Sequence, residues 1–506
     1  MKKKITAYNV ITNLILQAII LLYGFIIPKI IISNYGSSVN GLVSSITQFL
    51  AYISLLDSGF TAVVKSQLYK PIANKDNKTI VLILKSADSF FKKIAVIFVL
   101  YIAVLAIVYP LLVIDKFDLI FTFSLVLILS ISTFAEYYFG MVYKLYLQSD
   151  QKSYVISIIQ IITYIFNISI TLLLTKINVS IQMLKLFTSV VFILRPLLQL
   201  YYVKKHYKIK LKDVSEKYEI KNKWDGLAQH IAYVIHNNTD ITVLTIFCDL
   251  VEVSVYSVYY LVIKGVKSII QSFTYGIDAI FGNLIAKEEK KELNTSFHKY
   301  EILYNSISVV CFSCAFILIT PFVTVYTKNI NDAHYIRPLF GYLIVFGEFI
   351  WAIRQPYNEL IKAAGHFKET RIGAWVECIS NIIISLILVL KFGLIGVAIG
   401  TIVGILIRTI ELLIHANKKI LDRKLFFSLK NIIIILGETT LIYIISLKIV
   451  SFEMNNYISL VINAVIIFII SVIIVITTNC MFYRKEFKEV LSFFIRKRRK
   501  NKNENI

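Results

Sequence analysis

Apolar runs of about twenty residues recur from one end of this chain to the other, each closed by a short polar or basic turn. Twenty helical residues rise about 30 Å, the thickness of the hydrocarbon core of a bilayer. The pattern predicts about fourteen spanning helices, near 9–32, 41–64, 94–114, 118–142, 153–175, 179–203, 225–247, 254–284, 300–323, 335–361, 370–390, 394–416, 430–450 and 457–482. Very short turns near 115, 177 and 392 make tight helical hairpins of the pairs they join. The alternating pattern of a membrane β-barrel is absent. The expected fold class is an all-α polytopic membrane protein.

The polar turns carry a second pattern. With the N-terminus on the cytoplasmic side, Lys and Arg fall overwhelmingly on that side, as in "VKKHYKIKLKDVSEKYEIKNKW" at 203–224 and "RKRRKNKNENI" at 496–506. One miscounted span would invert every later loop and spoil this alternation. The net charge of +23 mostly reflects these loops, and suits a face near anionic lipid better than a nucleic-acid partner. At 57% hydrophobic residues the composition excludes a soluble chain of this length. Met1-Lys2-Lys3-Lys4 precedes an apolar run too long for a signal-peptide core, so the first run reads as a retained span.

A weak repeat emerges at an offset of about 214 residues. The segment 143–196 and the segment 357–409 each pass through a polar turn, a span with a central Asn (Asn167, Asn381), a Lys at a tight turn (Lys176, Lys391) and a second span ending near an Arg (Arg195, Arg408). The same offset lays span 1 on span 7 and span 2 on span 8. Six crossings return the chain to its starting side, so the two halves share one orientation, with a site expected between them. The expected organisation is a six-helix lobe at 1–203, a basic cytoplasmic linker at 204–224, a second six-helix lobe at 225–417, helices 13 and 14 at 418–482, and a basic cytoplasmic tail at 483–506.

Ionisable residues inside spans are functional candidates by default. Tyr260, Lys264, Lys267, Gln271, Tyr275 and Asp278 step by three or four along span 8, and both lysines stand ten or more residues from the ends of a helix over 254–284. A water-filled cavity and snorkelling to the interface are the competing explanations. Span 1 adds Asn9, Asn13, Gln17 and Lys29. Span 2 adds Ser44, Gln48, Ser58 and Asp57. Span 7 adds His230, His236, Asn237 and Asp240, with a hydrogen bond between His236 and Asp240 as the local alternative. Span 10 carries Glu348 and Arg354. Arg408 and Glu411 suit an intrahelical pair, and Glu136, Glu377 and Glu438 are single buried acids. The expected cavity is cationic, with Lys264 and Lys267 offered to a phosphate. Its candidate lining is Lys264, Lys267, Gln271, Lys29, Arg354, Asn13, Gln17, Gln48 and Asn237, and the coupling candidates are Asp57, Asp240 and Asp278. Tyr256, Tyr259, Tyr260 and Tyr275 are candidates to stack on a ligand.

The chemistry of catalysis is missing. No loop exceeds about 30 residues, and no Walker A, HExxH or GxSxG pattern occurs. The five cysteines include Cys311-x-x-Cys314, which sits in an apolar helix without a matching pair and reads as packing. Transport is expected, with no enzymatic activity, cofactor or metal.

Three segments carry a family resemblance. "NYGSSVNGLVSSITQFLAYISLLDSGF" at 34–60, "NNTDITVLTIFCDLVEVSVYSVYYLV" at 237–262 and "AAGHFKETRIGAWVECISNIIISLILVLKFGLIGVAIGT" at 363–401 resemble, in order, the span 1–2, 7–8 and 11–12 regions of Wzx-type polysaccharide repeat-unit flippases. These belong to the multidrug/oligosaccharidyl-lipid/polysaccharide (MOP) exporter superfamily. The resemblance implies two six-helix lobes plus two C-terminal helices, working by alternating access through a cationic central cavity. It implies a substrate of undecaprenyl-pyrophosphate-linked oligosaccharide, moved across the bacterial cytoplasmic (inner) membrane for capsule, exopolysaccharide or O-antigen synthesis. Implied partners are membrane lipid and polysaccharide polymerase machinery, with both termini cytoplasmic. The alternative within the same fold is a peptidoglycan lipid II flippase or a multidrug antiporter.

Overall fold

A computed structural model describes residues 2–57, 59–207, 218, 227–274, 276–450 and 454–484. Ser58, Tyr275, most of the basic linker and the tail beyond 484 lie outside the described residues.

The first lobe begins with α1 (Lys2–Tyr35), α2 (Ser37–Ala51), the single turn α3 (Ser54–Asp57) and α4 (Phe60–Asn74). It continues with α5 (Asn77–Leu112), then α6 (Leu119–Ala135), which passes through a π turn at Glu136–Gly140 into α7 (Met141–Ser149). The hairpin of α8 (Ser153–Lys176) and α9 (Ile181–Tyr207) closes it. The second lobe repeats this order with α10 (Leu227–Phe247), α11 (Leu250–Gln271), α12 (Ile277–Ala286), α13 (Lys290–Tyr326), α14 (Pro338–Ile353), α15 (Gln355–Ala363), α16 (Arg371–Phe392) and α17 (Leu394–His415). A π turn at Ala416–Leu421 leads into α18 (Phe426–Ile449) and α19 (Tyr457–Phe482). The fold is thus two six-helix lobes followed by two C-terminal helices. The chain divides into compact units at Met1–Ser257 and Val258–Ile506, a boundary that falls inside α11.

Twelve helices among the described residues are long and apolar enough to cross a membrane. The other two expected spans are present as helices that miss that description for identifiable reasons. His230, His236, Asn237, Asn238 and Asp240 make α10 polar. Only 16 residues long, α14 stops at Arg354, one residue before Gln355-Pro356 starts α15.

The apolar pattern misplaced several ends. Helices α5 and α13, 36 and 37 residues long, start well before the expected 94 and 300. At 1.5 Å per residue they measure roughly 55 Å, so their polar first turns extend past the hydrocarbon while hydropathy registers only the apolar part. Span 2 does not run to residue 64, and span 8 does not run to 284. Both break before a glycine in the left-handed region, Gly59 (φ 80°) and Gly276 (φ 81°), each of which starts a new helix. L-residues resist that conformation, and glycine adopts it freely.

Within the first unit, α2 is fastened by buried hydroxyls. Tyr109 donates to Ser45 at 2.7 Å, and Ser45 shares a 2.6 Å hydrogen bond with Thr245 of α10. Asn40 donates to Ser254 at 2.8 Å. At the other end of the lobe, Asn9 of α1 accepts from the Tyr154 amide at 2.8 Å and donates to the Gln151 carbonyl at 2.7 Å, tying α1 to the start of α8.

In the second unit, α16 and α17 pack through a stripe of small residues, Gly396, Gly400 and Gly404, one turn apart. A Cβ on Gly400 would lie 2.2 Å from Ser385 Oγ and 2.7 Å from its amide nitrogen, and one on Gly404 would lie 2.9 Å from the Glu377 carbonyl. Small residues at this spacing let membrane helices approach backbone to backbone. Gly400→Ile should therefore lower the thermal unfolding midpoint of the detergent-solubilised protein, by roughly 1–3 kcal/mol of overpacking. Gly437→Ile on α18, where nothing lies within 4 Å among the described residues, should leave the midpoint unchanged.

Candidate functional site

The clearest chemistry comes from comparing equivalent positions of the two lobes. In the second lobe, Arg354 at the α14–α15 junction donates to Glu377 of α16 at 2.6 Å, with both residues buried. The other oxygen of Glu377 lies 3.9 Å from Nε of Arg408 on α17. Arg408 also donates to Glu411, one turn along, and to the Thr370 carbonyl at 2.6 Å. Two arginines and two glutamates thus close a neutral network, and the expected Arg408–Glu411 pair is part of it.

The first lobe builds the same corner with different residues. At an offset of about 214, Arg195 stands for Arg408, Thr163 for Glu377 and Gly140 for Arg354. Arg195 Nε donates to the Thr163 hydroxyl at 2.8 Å, where its counterpart meets a carboxylate. The guanidinium carbon sits 4.2 Å from the centre of the Tyr164 ring and 4.0 Å from that of Phe192. Tyr23 of α1 extends this aromatic wall, 4.8 Å from Tyr164, and its hydroxyl donates to Asn167. Nη2 of Arg195 is buried without a hydrogen-bond partner among the described residues. Glu136 lies within electrostatic reach, but Lys144 already holds it at 2.6 Å. Aromatic faces attract a guanidinium without cancelling its charge. The result is a half-buried arginine, presented by aromatics, with no carboxylate within 4 Å among the described residues. An arginine fork of this kind suits phosphate and carboxylate oxygens.

The face read along span 8 from Tyr260 to Asp278 is interrupted. Because α11 ends at Gln271, Lys264 and Lys267 stand within its last two turns, not deep in a 31-residue span, and Asp278 lies beyond the break on α12. Lys264, Gln271 and Asp278 are exposed. Lys267 is paired, its ammonium 2.7 Å from Glu348 and 4.1 Å from the centre of the Trp351 ring, both on α14. Arg354 is engaged by Glu377. On α1, Asn13, Gln17 and Lys29 are half-buried. Gln48 of α2 donates to Asn238 of α10, while neighbouring Asn237 turns back to its own helix at the Tyr233 carbonyl. Asp57 accepts from Thr61 at 2.7 Å, and Asp240 accepts from Tyr256 at 2.9 Å. Tyr259 is fully buried and spans the Tyr335 carbonyl and the Arg337 amide, so it packs the lobe and is not free to stack on a ligand.

A second buried cluster had no sequence expectation. Glu301 of α13, wholly buried, accepts from Tyr357 and, at 3.1 Å, from Arg423. Arg423 also reaches Asn417 and Ser428, joining the second lobe to the start of α18. The signal was weak, because Glu301 sits at the polar end of an apolar run.

No family model matches the sequence, and no curated protein matches it. Solved structures do. One is described as the lipid II flippase MurJ in an inward closed conformation, at 16% identity, covering 94% of this chain and 98% of that one with a TM-score of 0.68. A second is an inward-facing multidrug resistance MATE family transporter of the MOP superfamily, at 15% identity, covering 81% and 97% with a TM-score of 0.58. A third is a MOP superfamily transporter from Pyrococcus furiosus whose description notes a binding pocket of reversed polarity, at 13% identity, covering 83% and 97% with a TM-score of 0.56. The fold is the one these transporters share. At such identities the likeness extends to architecture, and the chemistry rests on this chain's own residues.

Proposed function

We propose that this protein is a flippase for undecaprenyl-pyrophosphate-linked oligosaccharide repeat units, working by alternating access in a bacterial cytoplasmic membrane with both termini cytoplasmic. The observation that carries this reading is Arg195, a cation held among spanning helices without the carboxylate that neutralises its counterpart Arg408. A membrane protein that keeps an uncompensated guanidinium between aromatic rings is built to meet an anion. A pyrophosphate supplies the anion, and sugars stack on rings such as Tyr23, Tyr164 and Phe192. A polar glycan left in hydrocarbon would cost kilocalories for each unsatisfied group, so a polar path is what its passage requires. The three segments resembling repeat-unit flippases support the oligosaccharide. The structural likeness to a lipid II flippase supports a second reading, in which the same anion site takes the peptidoglycan precursor. A multidrug antiporter for cations fits least, since it would gain nothing from Arg195.

The test is the position of the lipid-linked repeat unit in cells lacking the protein. It should accumulate on the cytoplasmic leaflet and move outward when the gene is restored. Units that reach the outer leaflet normally but stay unpolymerised would assign the protein to a later step. Lipid II trapped in place of the repeat unit would select the second reading.

A further inference from the structure

Three acids stood out as single buried carboxylates. Two have cations: Glu136 holds Lys144, and Glu377 holds Arg354. Glu438 of α18 does not. It is 4% exposed, and its hydrogen-bond partner is a hydroxyl, that of Thr478 on α19. No Lys, Arg or His nitrogen lies within 4 Å of it among the described residues.

Glu438 lines a small, half-open cavity between α13, α18 and α19, with room for a water molecule or a bare ion. The polar wall is Asn305, Ser306, Asn431, Asn479 and Tyr483. Part of it is self-satisfied. Asn479 donates to Ser306 at 2.8 Å, and Tyr483 donates to Asn431. Part is not. Asn305 Oδ1 and Asn431 Nδ2 have no protein partner among the described residues, although both residues are only 5% exposed. Lys430 and Lys448 of α18 are exposed, and the buried Tyr304 hydroxyl of α13 has no hydrogen-bond partner among the described residues. Glu301 is held by Arg423 and Tyr357, His298 packs against the Tyr483 ring, and Cys311 and Cys314 are half-buried thiols farther along α13.

A carboxylate in this setting needs a positive charge, because one hydroxyl returns far less than the desolvation of the ion costs. Carboxylate, amide and hydroxyl oxygens are the donor set of a hard cation. We propose that this cavity binds an exchangeable monovalent cation on Glu438, a sodium ion or a proton, with the Asn305 amide oxygen turned toward it. The cation would fasten the C-terminal pair α18–α19 to α13, so its occupancy sets how firmly that pair is docked. The inference is independent of which lipid-linked substrate the protein carries.

The test uses the full chain in lipid nanodiscs, read by its thermal unfolding midpoint. One arm replaces N-methyl-D-glucamine chloride by sodium chloride at fixed pH. The other varies pH between 6 and 9 without sodium. The wild type should respond in at least one arm, and Glu438→Gln should abolish that response. A sodium response would assign the sodium ion, and Asn305→Ala should then raise the half-saturating sodium concentration at least tenfold. A response in the pH arm alone would assign the proton, and Asn305→Ala should leave it in place. Identical behaviour of wild type and Glu438→Gln in both arms would overturn the proposal and leave the cavity with a neutral water only. If Glu438→Gln does not fold, Glu438→Asp retracts the carboxylate by one methylene. An unchanged response in that variant would equally overturn it.

Discussion

Replacing Glu377 with threonine should severely destabilise the second lobe. The substitution installs the residue that the first lobe carries at the equivalent position, Thr163, but in different company. Arg354 and Arg408 both lean on the Glu377 carboxylate, at 2.6 and 3.9 Å, and all three are buried. Without it, two guanidiniums share the remaining acid, Glu411. Breaking a buried ion pair by removing one partner typically costs about 3–5 kcal/mol, because the other charge stays desolvated. The thermal unfolding midpoint in detergent should drop accordingly. Adding Arg354→Gln should recover part of the loss, since one uncompensated charge goes with it. A double-mutant cycle measures that coupling directly. Wild-type stability in Glu377→Thr would show that water reaches the network and screens its charges.

Much of the architecture was legible because bilayer thickness imposes one dominant period. The hairpins at 153–207 and 371–415 follow from apolar run length and turn length, and the six-helix repetition with the extra pair at the end follows once the offset of about 214 residues is added. The breaks in spans 2 and 8 were less legible. A single glycine in the left-handed region ends a helix without altering mean hydropathy, so Gly59 and Gly276 left the apolar runs apparently continuous. The error mattered, since it placed Asp278 on a face it does not share with Lys264 and Lys267. The partners of charged residues were the least legible part. Lys267 and Glu348 are 81 residues apart, and only folding brings them to 2.7 Å. Arg195 and Arg408 were matched from sequence as ends of equivalent spans. What separates them, a threonine against a glutamate at the facing position, became visible only when the side chains were placed.

That difference yields the most discriminating prediction. Thr163→Glu should give the first lobe the ion pair of the second, with the new carboxylate facing Arg195 Nε as Glu377 faces that of Arg408. If the role of Arg195 is to hold its helix pair together, the variant should transport as the wild type does, with equal or greater stability. If Arg195 receives the anionic group of the substrate, the protein should stay folded and lose transport. A charge-assisted hydrogen bond contributes about 1.5–3 kcal/mol, so the loss should be roughly ten- to a hundredfold. Arg195→Gln should lose a similar amount, and Thr163→Ser, which keeps the hydroxyl, should lose little. The readout is the rate at which lipid-linked oligosaccharide appears on the outer leaflet, with the unfolding midpoint measured beside it. Full transport in both Thr163→Glu and Arg195→Gln would remove Arg195 from the substrate path. The uncompensated charge on α9 would then serve packing against Tyr164 and Phe192, and the anion would have to be met by the exposed Lys264 of α11.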